Sequence, residues 1–179
     1  MNEPVRGTLH VELHLWATSP ARAVEVVSST VEVGAQTAAV IGRVAMAAQL
    51  GVAAGRYARE DAFLVLRLEA DHDPAVVLAA TEVWLTAFRR ARLPPARPLV
   101  TSIDQVSPTR AVLRLLSNAT AALVAVECDS VVGAFSDGGL TLLAGQGREL
   151  SFEARAPFEL ATLRRGLRVR SVWDTYEGN

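Results

Sequence analysis

Three side chains near the start of the chain, His10, Glu12 and His14, are of types that bind metals or move protons, and they fall at every second residue. In an extended strand that spacing sets all three on one face. At roughly 3.3 Å per residue the two imidazoles stand about 13 Å apart, and one zinc ion with bonds of about 2 Å cannot reach both. The pattern predicts an exposed polar strand face rather than a metal centre. Asp71-His72-Asp73-Pro74 gathers oxygen ligands, but Asp and Pro favour turns and calcium takes roughly six to eight oxygens. Cys128 is the sole cysteine, so an internal disulfide and a Cys-rich zinc site are both excluded. It closes the apolar run Ala121 to Cys128 and reads as a small buried residue. A nucleophilic role would need a base, and all the histidines lie in the other half of the chain. Lysine is absent, every basic residue being Arg, which removes P-loop, Schiff-base and lysine-base chemistry. No Ser-His-Asp arrangement, Gly-rich phosphate loop or CxxC spacing is present. No cofactor and no metal is expected. Trp16, Trp84 and Trp173 could make a stacking platform for sugar rings, since aromatic faces are apolar with a polar edge; each sits at a strand end, which favours core or interdomain packing.

The elements that would carry these residues are mostly strands. Leu9, Val11, Leu13 and Leu15 alternate with Thr8, His10, Glu12 and His14, the period of a strand with one buried face. Val24 to Val33 is rich in β-branched residues and predicts a second strand, kinked at Ser28-Ser29. Thr37 to Val44 predicts a third, followed by a helical turn over Ala45 to Leu50. Ala62 to Glu69 and Ala79 to Phe88 predict two more. Beyond them, Arg89 to Pro98 holds Pro94, Pro95 and Pro98 among arginines, an extended and solvated connector. It places a boundary between domains 1–92 and 93–179. In the second half, Leu99 to Gln105, Arg110 to Leu116 and Ala121 to Cys128 predict strands, and Gly133 to Gly139 a loop. Leu140 to Leu143 and Arg148 to Ala154 predict a hairpin through Gly145-Gln146-Gly147. Phe158 to Leu163 predicts one helical turn, and Arg168 to Tyr176 a last strand. Short strands punctuated by Gly, Pro, Ser and Asn make an all-β chain of two tandem immunoglobulin-like antiparallel β-sandwiches.

Composition sets the outer limits. The chain has 179 residues, half of them hydrophobic, and a net charge of −1, enough to bury a core in one ordinary domain or two small ones. With no basic excess, no nucleic-acid partner is expected. The most apolar stretch, Ala35 to Gly55, is interrupted by Arg43 and Gln49; a central Arg costs about 2.5–3.5 kcal/mol on insertion scales, so no membrane span is expected. Met1 to Gly7 lacks the apolar core of a signal peptide, and the expectation is a cytoplasmic protein.

Three segments carry a family resemblance. Gly133-Ala134-Phe135-Ser136-Asp137-Gly138-Gly139-Leu140-Thr141-Leu142-Leu143-Ala144-Gly145 is similar to the G-x-F-S-D-N-x-F-x-L-L-P-G segment of the terminal immunoglobulin-like domain of family-two β-mannosidases. Leu167-Arg168-Val169-Arg170-Ser171-Val172-Trp173-Asp174-Thr175-Tyr176 resembles the closing L-x-V-x-S-L-x-D-T-Y of that domain. Asp61-Ala62-Phe63-Leu64-Val65-Leu66-Arg67-Leu68, with Val83-Trp84-Leu85, resembles a pair of segments in the preceding sandwich. Gly138 replaces an Asn, Ala144 a turn proline, and Thr81-Glu82 a Glu-Asn pair, departures that touch loop detail. The resemblance implies kinship with enzymes that hydrolyse terminal β-mannosides by two glutamates on a (β/α)8 barrel. Such a barrel takes roughly 200–250 residues and does not fit here, so no catalytic residue is carried over. Asn2-Glu3-Pro4 looks like the segment that bears an acid/base glutamate in many barrel glycosidases, but no barrel strand precedes it.

The function expected is a non-catalytic accessory region of a β-mannosidase-like glycoside hydrolase, not an enzyme by itself, whose partner is a (β/α)8 glycosidase barrel in cis or in trans. That reading expects an exposed apolar docking patch. The alternatives are a carbohydrate-binding module, with a mannoside or mannan as ligand, and a generic protein-interaction sandwich. The residues singled out for contact with a partner or sugar are Trp16, Trp84, Trp173, Phe135 and Asp137.

Overall fold

Alternation in Val5–Leu15 (β1) is realised as the two faces of a central strand. The computed structural model describes residues 4–34 and 55–176. β1 pairs antiparallel with Ala23–Val33 (β2) on one side and Ala62–Ala70 (β3) on the other, and Asp73–Trp84 (β4) adds to β3. The order is β2-β1-β3-β4. Register sets Val11 opposite Val27 and Leu66, and Leu13 opposite Leu64. One face therefore collects Val11, Leu13 and Ala62 in a core, with Leu9, Leu15, Val27, Leu64 and Leu66 packed around it. Each such side chain, once covered, contributes about 1.5–3 kcal/mol.

The details depart from expectation in places. β2 runs straight through Ser28-Ser29; the irregularity falls instead between Leu13 and His14. β4 begins at Asp73 rather than Ala79, so only Asp71-His72 is turn. Pro74 is tolerated because β4 is an edge strand, where a missing N–H breaks no ladder bond. β4 also ends at Trp84, and Phe88–Arg90 is a separate 3-10 turn. The strand expected over Thr37 to Val44, the helical turn over Ala45 to Leu50, and Asn2-Glu3 lie outside the described residues. This unit shows one antiparallel sheet among the described residues.

In the second unit, Leu99–Ser107 (β5) and Arg110–Leu116 (β6) form a hairpin. There follow Ala121–Cys128 (β7), Gly133–Phe135 (β8), Leu140–Leu142 (β9), Arg148–Ala154 (β10), the short helix Leu160–Gly166 (α1) and Leu167–Arg170 (β11). They build a sheet of order β5-β6-β10-β8 and another of order β11-β7-β9, an immunoglobulin-like antiparallel sandwich. Alternate residues of each strand supply the core: Ala111, Leu113 and Leu115 from β6, Val124 and Val126 from β7, Leu150, Phe152 and Ala154 from β10, with Leu163 of α1.

Four sequence expectations are corrected here. β9 and β10 do not form a hairpin, since β9 pairs with β7 while β10 pairs with β6 and β8. The Gly-rich turn, with Gly145 at φ +76°, instead carries the chain from one sheet to the other. Gly133–Phe135 is a strand rather than loop, held by Phe152 to Ala154 of β10. The last strand stops at Arg170, because the Asp174 carboxylate accepts from Ser171 N (2.6 Å) and Ser171 Oγ (3.1 Å) and draws the chain into the 3-10 turn Trp173–Thr175. Cys128 is half-buried, with Sγ 3.7 Å from Ser130 Oγ. In β7 a bulge between Ala121 and Val124 places Leu123 at φ +47° and turns its side chain outward, so that Ala121, Ala122, Val124 and Val126 are all buried.

By compactness the chain divides into two units. One holds the described residues up to Trp16 and from Arg22 to Arg92; the other holds Ala17–Ala21 and the described residues from Leu93. Within the second, Ala21 N donates to Ala144 O (2.9 Å) and Ser19 Oγ to Asn118 O (3.1 Å). Among the described residues no helix is long and apolar enough to cross a membrane.

Candidate functional site

The densest gathering of ionisable side chains lies on the polar face of the first sheet. β1 supplies His10, Glu12 and His14, and the register places Arg67 opposite His10 and Glu69 opposite Thr8. Arg67 is the hub: Nη2 lies 2.8 Å from Glu12 Oε1, and Nε 3.1 Å from Glu69 Oε1. The other oxygen of each carboxylate faces an imidazole, Glu69 Oε2 at 3.1 Å from His10 Nε2 and Glu12 Oε2 at 3.0 Å from His14 Nε2. With its proton on Nε2, His10 donates to Glu69 and accepts from the Ser28 hydroxyl at Nδ1 (2.8 Å). A continuous row, Ser28–His10–Glu69–Arg67–Glu12–His14, thus crosses β2, β1 and β3.

The row is paired mainly within itself. Both carboxylates are largely covered, with 14% and 17% of their side-chain surface exposed, and each of their four oxygens lies within 3.1 Å of an Arg67 or imidazole nitrogen, while Arg67 Nε and His14 Nδ1 are buried without a hydrogen-bond partner. Each carboxylate is thereby engaged through both oxygens, one toward Arg67 and one toward an imidazole. The two β1 imidazoles serve different carboxylates, and among the described residues no group of three or more His, Cys, Asp or Glu is arranged to hold a metal ion. Charge-assisted contacts of this kind fix side chains and strand register. The sequence singled out His10, Glu12 and His14 but missed Arg67 and Glu69, whose part depends on which strand lies beside β1.

Next to the row the same face becomes aromatic. Trp16 stacks on Phe63 (ring centroids 4.2 Å) and on Trp84 (5.6 Å), Trp84 lies 5.1 Å from Phe88, and His14 lies 5.4 Å from Phe63. Trp16 is 2% exposed, which corrects its candidacy as a sugar or partner contact: its ring faces are spent on Phe63 and Trp84. Trp84 is half-buried between Trp16 and Phe88.

The other candidates lie in the second unit. Phe135 is half-buried on β8 and packs on Phe152 at 4.8 Å. Asp137 is exposed, and its Oδ1 accepts from Gly139 N (3.2 Å), a turn-building bond. Trp173 is half-buried at the head of the closing 3-10 turn. Trp16 and Trp84 are brought together, Phe135 and Asp137 share one short segment, and the five residues do not assemble into one site.

Comparison with known proteins follows the same division. Residues 95–175 match the family model of the mannosidase Ig-fold domain. Among curated proteins none matches. Among solved structures the fold is similar to a crystal structure of β-D-mannosidase from Dictyoglomus thermophilum, with TM-score 0.61 and 14% identity; the likeness covers 96% of this chain and 19% of that one. The chain thus spans about a fifth of the length of that protein. The Gly133–Gly145 and Leu167–Tyr176 segments both fall inside the matched region, and with the sandwich of β5 to β11 they make the C-terminal unit an Ig-fold domain of the mannosidase family.

Proposed function

We propose that the chain is a non-catalytic accessory region of a β-mannosidase-type glycoside hydrolase, and that its partner is a (β/α)8 barrel joined in cis or bound in trans. The observation that carries this reading is the lopsided match: nearly all of this chain resembles a β-D-mannosidase, yet it spans only 19% of that protein. The ion-pair row supports it, since Glu12 and Glu69 are each held between Arg67 and a histidine. So does the apolar run of edge strand β4, where Val76, Val77 and Leu78 are 41%, 47% and 44% exposed. Exposed apolar surface of this kind is what docking against a larger body covers. The burial of Trp16 counts against the carbohydrate-binding alternative, because a sugar platform needs open aromatic faces.

The test is an assay of the purified chain with a chromogenic β-mannoside. No turnover is expected, and turnover that survives repurification overturns the proposal. Titration with manno-oligosaccharides separates the binding-module alternative: a flat isotherm at millimolar ligand is expected, and a saturable one would favour that module instead.

A further inference from the structure

β5 and β11 are edge strands, one in each sheet of the C-terminal sandwich, and a groove of about 390 Å³ lies between them. That is within the range of ligand clefts, roughly 300–1,000 Å³. Val100, Thr101, Ser102 and Ile103 line it from β5, Leu167 and Val169 from β11, and Arg164 from α1. Three properties coincide there. First, among the described residues β5 pairs only with β6, so its outer side presents main-chain hydrogen-bonding groups. The Ile103 carbonyl is turned that way, with Arg164 Nη2 donating to it at 3.5 Å, the outer limit of such a bond. Second, Val100, Leu167 and Val169 form an apolar wall and are only half-buried. Third, Arg164 is exposed, and among the described residues it makes no ion pair.

We propose that this groove takes an extended polypeptide segment of a partner chain, added as a strand to the outer edge of β5, with an acidic side chain of that segment on Arg164. Strand addition uses the edge groups for affinity and the pockets beside them for selection. The unpaired guanidinium selects a carboxylate, which it can grip with two parallel bonds. The proposal stands whether or not the accessory reading does.

The test uses the full chain, labelled with 15N, and a capped peptide of alternating valine and threonine with one central aspartate. Saturable amide shifts at Val100–Asp104 and Leu167–Val169 are expected. An asparagine version should bind at least about tenfold more weakly, and a version N-methylated at alternate amides should not bind. Arg164→Gln should remove the preference for aspartate over asparagine while the spectrum stays dispersed. The proposal is overturned by absence of shifts at millimolar peptide, by equal affinity for the aspartate and asparagine versions, or by undiminished binding of the N-methylated one. It is equally overturned if acetate alone reproduces the shifts, or if the groove proves occupied by a second copy in a concentration-dependent dimer.

Discussion

Replacing Gly133 by alanine should be among the most damaging single-methyl additions in the C-terminal unit. A Cβ built there would lie 2.5 Å from Glu153 O, 2.5 Å from Phe152 Cζ and 2.7 Å from Phe152 Cε2. Neither neighbour can give way easily. The carbonyl belongs to β10 where that strand pairs with β8, and the Phe152 ring is 1% exposed, held between Phe135 at 4.8 Å and Phe158 at 5.9 Å. Overpacking of this kind costs about 1–3 kcal/mol, and contacts well inside van der Waals distance to a backbone oxygen and a locked ring point to the upper half, about 2–3 kcal/mol. For a domain of 60–100 residues each kcal/mol lowers the midpoint by roughly 4–8 °C, so a fall on the order of 10–20 °C is expected. The control is Gly138→Ala, where the added carbon meets nothing within 4 Å and the change should stay within about 0.5 kcal/mol. Urea and thermal melts of the full chain carrying Trp16→Phe and Trp84→Phe, which leave Trp173 as the sole tryptophan, measure both through fluorescence and far-ultraviolet dichroism. If Gly133→Ala melts with the wild type, or if Gly138→Ala is as harmful, the close packing of β8 on β10 is not what bars a side chain at Gly133.

Leu113 is fully buried in β6, and Leu113→Ala should cost about 2–5 kcal/mol, read as a lower urea midpoint. Arg67→Met leaves Glu12 and Glu69 facing each other without their shared cation. Because Arg67 itself is 41% exposed, the loss should be only about 1–2 kcal/mol. Adding Glu12→Gln should recover part of it, and strict additivity in that double-mutant cycle would show that the row is not coupled. Asp174→Ala removes the acceptor for Ser171 N and Oγ and should cost about 1 kcal/mol, with faster amide exchange at Ser171 as the local readout.

The sequence made the strands of this protein legible wherever a strand has one wet face. Thr8 to Trp16 shows both faces of β1 by alternation alone, and Arg110 to Leu116 does the same for β6, because burial on one side of a pleat forces period two. It did not show which strand lies beside which. Gly145-Gln146-Gly147 signals a reversal equally well for a hairpin and for a passage between sheets; only the pairing of Leu140 and Leu142 with β7 decides it. Asp73-Pro74 carries turn chemistry, yet an edge strand accepts it. For the site the limit was the same. His10, Glu12 and His14 declare themselves on one strand, whereas Arg67 joins them only through the cross-strand register of β1 and β3.

The route of the chain through the C-terminal sandwich bears on how it forms. After the β5–β6 hairpin, successive strands change sheet at every step: β7, β9 and β11 belong to one layer and β8 and β10 to the other. Neither layer can be finished from neighbouring sequence, and Leu150 of β10 must find Leu113 of β6 across the whole of β7, β8 and β9. The cost of closing such loops comes before their contacts give anything back. The first sheet has two adjacent pairings, β1 with β2 and β3 with β4, but its central one, β1 with β3, sets Gly7 opposite Ala70 and spans more of the chain than Leu113 to Leu150. Both halves of the chain therefore wait on a distant strand pairing, and each should reach its native state within the roughly milliseconds to seconds typical of non-local β topologies.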